Sequence, residues 1–319
     1  MPAEGFPDSR IDQMLGELQP LFIKQFGVKK PADVEWLLYS FAPGRINLIG
    51  EHVDYMGGFV CPAAVPDGTH IVAGRLRSAE EPPPGLRFFV TYAQEHFDVP
   101  SLPVLSERGL KTWQKYIVGA ITLRLAYLGL SLDAPELRGV CFVIHGTVPV
   151  GAGLSASASF GVALLCALNS VLTEDYRRAR TTRLRTHRLV PLISLKERLL
   201  IAQQARQIEA EFCGTEVGMM GHFNAALAEA NKFMVIDCTK WTYQTCGMDT
   251  ISGHGYGWLL VDSMIRHDLM GDTQTVFNEV RRDQEMAQKR IAANLFKGSP
   301  FTFRSWCAHR SSTPRTATW

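Results

Sequence analysis

Residues 149–159 read PVGAGLSASAS, and the fold turns on how this stretch is interpreted. Before it lies a β-branched, apolar run, residues 140–145. After it, residues 160–172 are apolar, of helical length and free of proline. A strand that feeds a small-residue loop, which in turn opens a helix, is an arrangement suited to phosphate. Gly151 and Gly153 let the backbone approach an anion without a Cβ clash. The unpaired N–H groups and positive dipole end of the new helix then favour negative charge. Ser155, Ser157 and Ser159 can cap that helix or ligate a metal bound to the phosphates. A plain glycine turn with a serine cap is the other reading, and the stretch alone leaves both open. The Lys-Ser/Thr pair of a P-loop is absent, so this is not that motif.

A second stretch, residues 42–58, reads APGRINLIGEHVDYMGG and follows an expected strand at 36–41. It packs Arg45, Glu51, His52 and Asp54 into ten residues of loop chemistry. Carboxylates that accept and a guanidinium that donates can fork hydrogen bonds onto the hydroxyls of a polyol. A surface turn with ordinary ion pairs is the alternative, and the apolar Ile46, Leu48 and Ile49 argue against it.

Composition narrows the class without naming a function. In 319 residues, 46% are hydrophobic and 20% charged, the balance of a globular chain with ample core. A net charge of +2 gives no reason to expect a nucleic-acid partner. None of the seven cysteines forms a CxxC pair, and Cys141, Cys166 and Cys238 lie in apolar runs as buried thiols would. That usage suits a reducing compartment, and with no signal pattern or membrane-length apolar run the expectation is cytoplasmic, with no membrane contact, an organelle lumen being the alternative.

Periodicity predicts an amphipathic helix over 9–25, capped by Ser9 with Asp12 and kinked or ended at Pro20. Strands are expected at 69–76, 86–92, 233–237 and 258–262, with a proline loop at 82–84. Helices are expected at 110–130, 193–212, from 222 to about 230, and at 272–295. Trp113, at the start of its helix, can either stack on a base or belong to the core. Residues 176–188 are arginine-rich and read as a solvated insertion or a polyanion site. From Gly298 the chain has no acids and no periodicity, as expected of an unstructured or unrelated tail.

Taken together, the two stretches resemble a known family. Residues 42–58 resemble the galactokinase signature, and 149–159 resemble the second signature motif of the GHMP kinase superfamily. The resemblance runs from about Leu18 to Leu295, through TWQKYIVGAI, IEAEFCGTEVGMM, FMVIDC and VDSMIRHDL. It implies an α/β fold, the two-layer GHMP-kinase N-terminal domain of the ribosomal-protein-S5 domain 2 type, with the C-terminal GHMP domain mostly missing. The implied parts are an N-terminal helical segment (1–35), the ATP-binding domain (36–240), the start of the C-terminal domain (241–297) and the tail (298–319). The implied activity is phosphorylation of galactose or a related monosaccharide at its anomeric hydroxyl, using ATP and Mg²⁺, by a monomer. By resemblance, Arg45 lies beside the reacting hydroxyl, and Glu51, His52, Asp54 and Gly218 hold the sugar. Gly151, Ala152, Gly153, Leu154, Ser155, Ala156 and Ser157 surround the ATP phosphates. Ser157 and Glu209 face the magnesium ion, and Trp113 falls where the family stacks an aromatic on adenine.

Two departures accompany the matches. The family segment resembling CGIMDQF carries the presumed base aspartate, and here that position is Gly221. The family's third glycine-rich motif, in its C-terminal domain, has no counterpart in these 319 residues. Three readings follow: a sugar 1-kinase, a catalytically silent sugar- and nucleotide-binding sensor or scaffold, and a truncated product with no role of its own.

Overall fold

The computed structural model describes residues 8–77, 85–100, 109–173, 194–249, 253–266 and 272–295. The arginine-rich stretch, the proline loop and the tail expected from Gly298 lie outside the described residues.

Helix α1 (Asp8–Gln25) continues through Pro20, so of the kink or end expected there the end is corrected, and it begins before Ser9 rather than after it. Strand β1 (Val34–Asn47) leads to a short turn, then β2 (Phe59–Val60) and β3 (Pro62–Leu76). The hairpin β4 (Leu86–Val90) and β5 (Glu95–Val99) precedes α2 (Thr112–Leu128) and β6 (Val140–Gly146). Then follow α3 (Ala156–Leu172), α4 (Leu195–Gln207) with a π-helical turn at Ile208–Phe212, and α5 (Met220–Leu227). Strands β7 (Lys232–Asp237) and β8 (Thr242–Gly247) and helix α6 (Asp272–Leu295) complete the described chain.

All eight strands form one sheet, with β2-β7-β3-β6-β4-β5 side by side, β1 on β3 and β8 on β7. Among the described residues only β4 and β6 run parallel; every other described pair is antiparallel. Side chains alternate between the two faces of a strand. Leu38, Ile71, Phe88 and Phe142 therefore face a core shared with α2, α3 and α4. Their neighbours Tyr39, Val72, Phe89 and Val143 face Met14, Leu15, Leu18 and Phe22 of α1. Each fully buried side chain of this size contributes about 1.5–3 kcal/mol, which is why both faces of the sheet are covered. A third cluster, Val60, Met219, Phe223, Leu227, Met234 and Ile236, seats α5 on β7.

Polar groups pin these layers in register. Ser159, in the first turn of α3, donates to the Ala42 carbonyl at 2.7 Å and accepts from the Thr69 N–H at 2.8 Å. Its hydroxyl is spent on β1 and β3 and is not available to a ligand. Arg124 of α2, fully buried, joins Glu197 and Gln204 of α4 to Asn169 of α3. The described cysteines are all free; burial pushes the Cys141 thiol up to about 11 and the Cys238 thiol up to about 12.

Residues 258–262, expected as a strand, are irregular and exposed, with Leu259 87% accessible. An apolar run becomes a strand only where a neighbour completes its ladder, and among the described residues none pairs with it. Nor is any described helix long and apolar enough to cross a membrane.

Beneath α1, His70 is 2% exposed, its Nδ1 2.5 Å from the Tyr39 hydroxyl. Burial, then the charges of His145 and Arg10, pushes its pKa down to about 4. Between pH 6.5 and 4 the unfolded chain therefore holds a proton that the folded chain refuses. Stability is complete above pH 6.5 and falls on acidification, by about 3 kcal/mol at pH 4. His145, also lowered by burial, acts in the same direction. Urea denaturation at pH 7.5 and 4.5 measures this; His70→Gln flattens the dependence, and an equal slope in both proteins contradicts the assignment.

Candidate active site

The phosphate-loop candidate leaves β6 and enters α3. Gly151 and Gly153 adopt φ of 74° and 76°, the left-handed region that glycine enters at no steric cost. Ser155 does so at 58°, a strained value for a serine, and its side chain makes no cap bond to the helix. Strain of this kind collects at ligand sites. From Gly151 to Ser157 the loop is at least partly exposed, with the open N-terminus of a long helix behind it.

The second stretch is not wholly a loop. Arg45 lies on β1, paired with Ala64 across the ladder, while Glu51 and His52 sit in the following turn and Asp54 in a 3₁₀ turn at Asp54–Met56. Leu48 and Ile49 of that turn are exposed. Glu51 accepts from Asn47 Nδ2 at 2.8 Å, and His52 Nδ1 lies 2.9 Å from the Tyr55 hydroxyl. Burial draws the Arg45 pKa down, and Glu51 and Asp54 oppose that shift.

The two stretches meet. The Arg45 main-chain N–H donates to the Leu154 carbonyl at 2.9 Å, and the Arg45 guanidinium donates to the Gly153 carbonyl. Helix α5 closes the third side. The Asp54 carboxylate is buried and accepts from the Met220 N–H at 3.1 Å. Gly218 permits this, since a Cβ there would lie 1.8 Å from Asp54 Oδ2. A Cβ on Gly221 would face Ser155 Oγ at 2.7 Å, so this position looks onto the phosphate loop. A cleft of about 160 Å³ is lined by Asp54, Tyr55, Arg206, Gly218, Trp241 and Arg281 among others, and does not include Arg45.

Arg45 Nε, His222 Nδ1 and Asn224 Oδ1 are buried with no hydrogen-bond partner among the described residues, whereas such groups are nearly always satisfied. Asn224, whose Nδ2 reaches the Gly44 carbonyl at 3.5 Å, carried no signal in the sequence.

Segment 20–75 matches the galactokinase galactose-binding signature, and 115–228 match the GHMP kinase N-terminal domain. The chain belongs to the galactokinase/GHMP kinase family. It is 31% identical over 230 residues to a Clostridium perfringens galactokinase, covering 72% of this chain and 50% of that one. To a Chloroflexus aggregans galactokinase it is 33% identical over 287 residues, covering 89% and 61%. The crystal structure of Lactococcus lactis galactokinase complexed with galactose aligns with a TM-score of 0.62 at 25% identity, over 88% of this chain and 62% of that one. The chain thus spans half to three-fifths of the length of these galactokinases.

The other two family positions are deeply set. Trp113 is 8% exposed and meets Phe97 edge-on at 5.7 Å, within the core of α2, so little of its ring faces solvent. Glu209 is carried inward by the π-helical turn, while Glu211 on the same turn points to solvent. No cluster of three or more His, Cys, Asp or Glu side chains is arranged for a metal among the described residues. Ser157, half-buried in the first turn of α3, and Glu209, buried at 2%, are both hard oxygen donors, a hydroxyl and a carboxylate. That set fits Mg²⁺, which takes one or two carboxylates and completes its shell with phosphate oxygens and water.

Proposed function

We propose that this chain is a galactokinase-like sugar 1-kinase, transferring the γ-phosphate of ATP to the anomeric hydroxyl of galactose or a related monosaccharide. The carrying observation is the direct contact of Arg45 with Gly153 and Leu154, which brings the sugar-loop and phosphate-loop candidates to one seam. In this reading the open end of α3 and the loop from Gly151 to Ser157 hold the triphosphate. Glu51, His52, Asp54 and the Gly218 backbone hold the sugar. Arg45 stands between them, where charge develops as the P–O bond to the leaving diphosphate breaks and the bond to the sugar oxygen forms. Ser157 and Glu209 would hold Mg²⁺, which supplies neutralisation of phosphate charge. Trp113 would need to turn a ring face out of the core to stack on adenine.

Gly221 offers no acceptor for the hydroxyl proton. A positioned base is worth about 10²–10⁴-fold, whereas phosphoryl transfer depends mostly on positioning and charge stabilisation. Slow turnover is the expected result. A coupled ADP-release assay over a panel of monosaccharides tests it, and no turnover by folded protein with any sugar rejects it.

Gly221 favours a second reading, a sugar- and ATP-binding sensor or scaffold without catalysis. Calorimetry would then find saturable binding of both ligands with no ADP released; absence of binding by either rejects this reading too.

A further inference from the structure

Separate elements meet at the cleft lined by Asp54. The 3₁₀ turn brings Tyr55, helix α4 brings Arg206, helix α6 brings Arg281, and the turn between β7 and β8 brings Trp241. Arg206 Nε donates to the Val217 carbonyl at 3.0 Å, and Arg281 Nη1 reaches the same oxygen at 3.4 Å. Two guanidiniums thus share one acceptor next to Gly218, whose backbone lies against the Asp54 carboxylate. The Arg281 guanidinium also sits over the Tyr55 ring, 5.2 Å from its centre.

The charges around this cleft are unevenly matched. Arg281 has Glu285 Oε1 at 3.3 Å and Glu216 Oε2 at 3.6 Å. Arg206 forms no ion pair among the described residues, and its two terminal nitrogens hold no hydrogen bond there. Burial, then the charge of Arg281, draws the Arg206 pKa down, with Asp54 the largest opposing charge. The Asp54 side chain is 9% exposed, yet it accepts one hydrogen bond among the described residues, from the Met220 N–H to Oδ2. Buried carboxylates and guanidiniums ordinarily find more partners than this. One wall of the cleft therefore offers an unspent acceptor, and another offers unspent, positively charged donors. A ligand with hydroxyls at one end and an anion at the other complements both. A neutral sugar would give the guanidiniums hydroxyl oxygens alone, whereas a carboxylate matches their fork bidentately and offsets the repulsion between them.

We propose that this cleft makes the chain selective for an acidic monosaccharide, a hexuronate whose ring hydroxyls donate to Asp54 and whose carboxylate accepts from Arg206 and Arg281. The inference rests on the sugar-kinase reading above and narrows its substrate class. Arg45 does not line the cleft, so the carboxylate is the end of the ligand away from the seam with the phosphate loop. Trp241, 39% exposed, offers a ring on which the apolar face of the sugar can lie.

Calorimetric titration of the full chain with galacturonate, its neutral methyl ester and galactose tests this. Galacturonate is expected to bind about 10–100-fold more tightly than either neutral sugar, the usual worth of hydrogen bonds to charged groups. Arg206→Gln, which keeps an amide donor and loses the charge, removes most of that preference, and Arg206→Lys restores part of it. The readout is a ratio of affinities, which a merely weakened fold does not move. Should Arg206→Gln fail to fold, the three ligands on the native chain decide. Either neutral sugar bound as tightly as galacturonate, or an undiminished preference in folded Arg206→Gln, overturns the proposal and leaves the sugar-kinase reading standing. A chain that binds none of the three overturns both.

Discussion

Replacing Gly221 by aspartate raises the rate of sugar phosphorylation by about 10²–10⁴-fold, the usual worth of a positioned general base. The position lies in the first turn of α5 and faces the phosphate loop. The new Cβ would lie 2.7 Å from Ser155 Oγ and 3.2 Å from the Ala158 and Ser155 Cβ atoms. The tightest of these contacts is a hydroxyl, which rotates away at little cost. The added carboxylate would accept the proton that the native chain has nowhere to place. ADP release measured with galactose and related sugars reads the gain. No gain in a protein with a native melting profile would mean that the surrounding groups are not set for catalysis.

Gly218→Ala is the most damaging single methyl that the site can receive. Its Cβ would lie 1.8 Å from Asp54 Oδ2 and 2.1 Å from Asp54 Cγ, so the whole carboxylate must leave. Asp54 then loses its bond to the Met220 N–H, and a hydrogen bond to a charged group is worth about 1.5–3 kcal/mol. Overpacking adds roughly 1–3 kcal/mol. The expected loss is about 3 kcal/mol or more, read as a lower urea midpoint, together with loss of sugar binding. An unchanged midpoint would show that Asp54 does not sit against this backbone.

How much of this was legible in the sequence depends on how local each feature is. Helix α3, the core of β3 and β6, and the amphipathic α6 announce themselves through runs and periods that need no partner to be recognised. Strands β5 and β8 do not: EHFDV and TYQTCG lie at the edges of the sheet, and β8 alternates exposed with half-buried side chains. Their strand character comes from the neighbour they pair with. Residues 258–262 show the converse, an apolar run that lacks such a neighbour among the described residues. Both loops of the candidate site were legible because glycines and charges cluster within a few positions. The bond from Arg45 to Gly153 was not, and neither was the contact of His222 with Glu209, since tertiary packing brings these residues together from separate elements. The π-helical turn that carries Glu209 inward leaves no mark in the sequence beyond the pair Glu209 and Glu211. Ser159 looked like a ligand for the same reason as Ser157, and only the proximity of Ala42 and Thr69 separates the two.

The most direct measurement is calorimetric titration of galactose into the chain, first alone and then saturated with a non-hydrolysable ATP analogue and Mg²⁺. A site built across the seam where Arg45 meets Gly153 and Leu154 predicts saturable binding of each ligand and a ternary complex in which both are held at once. Failure of either ligand to bind, or binding of one only at the expense of the other, would contradict it.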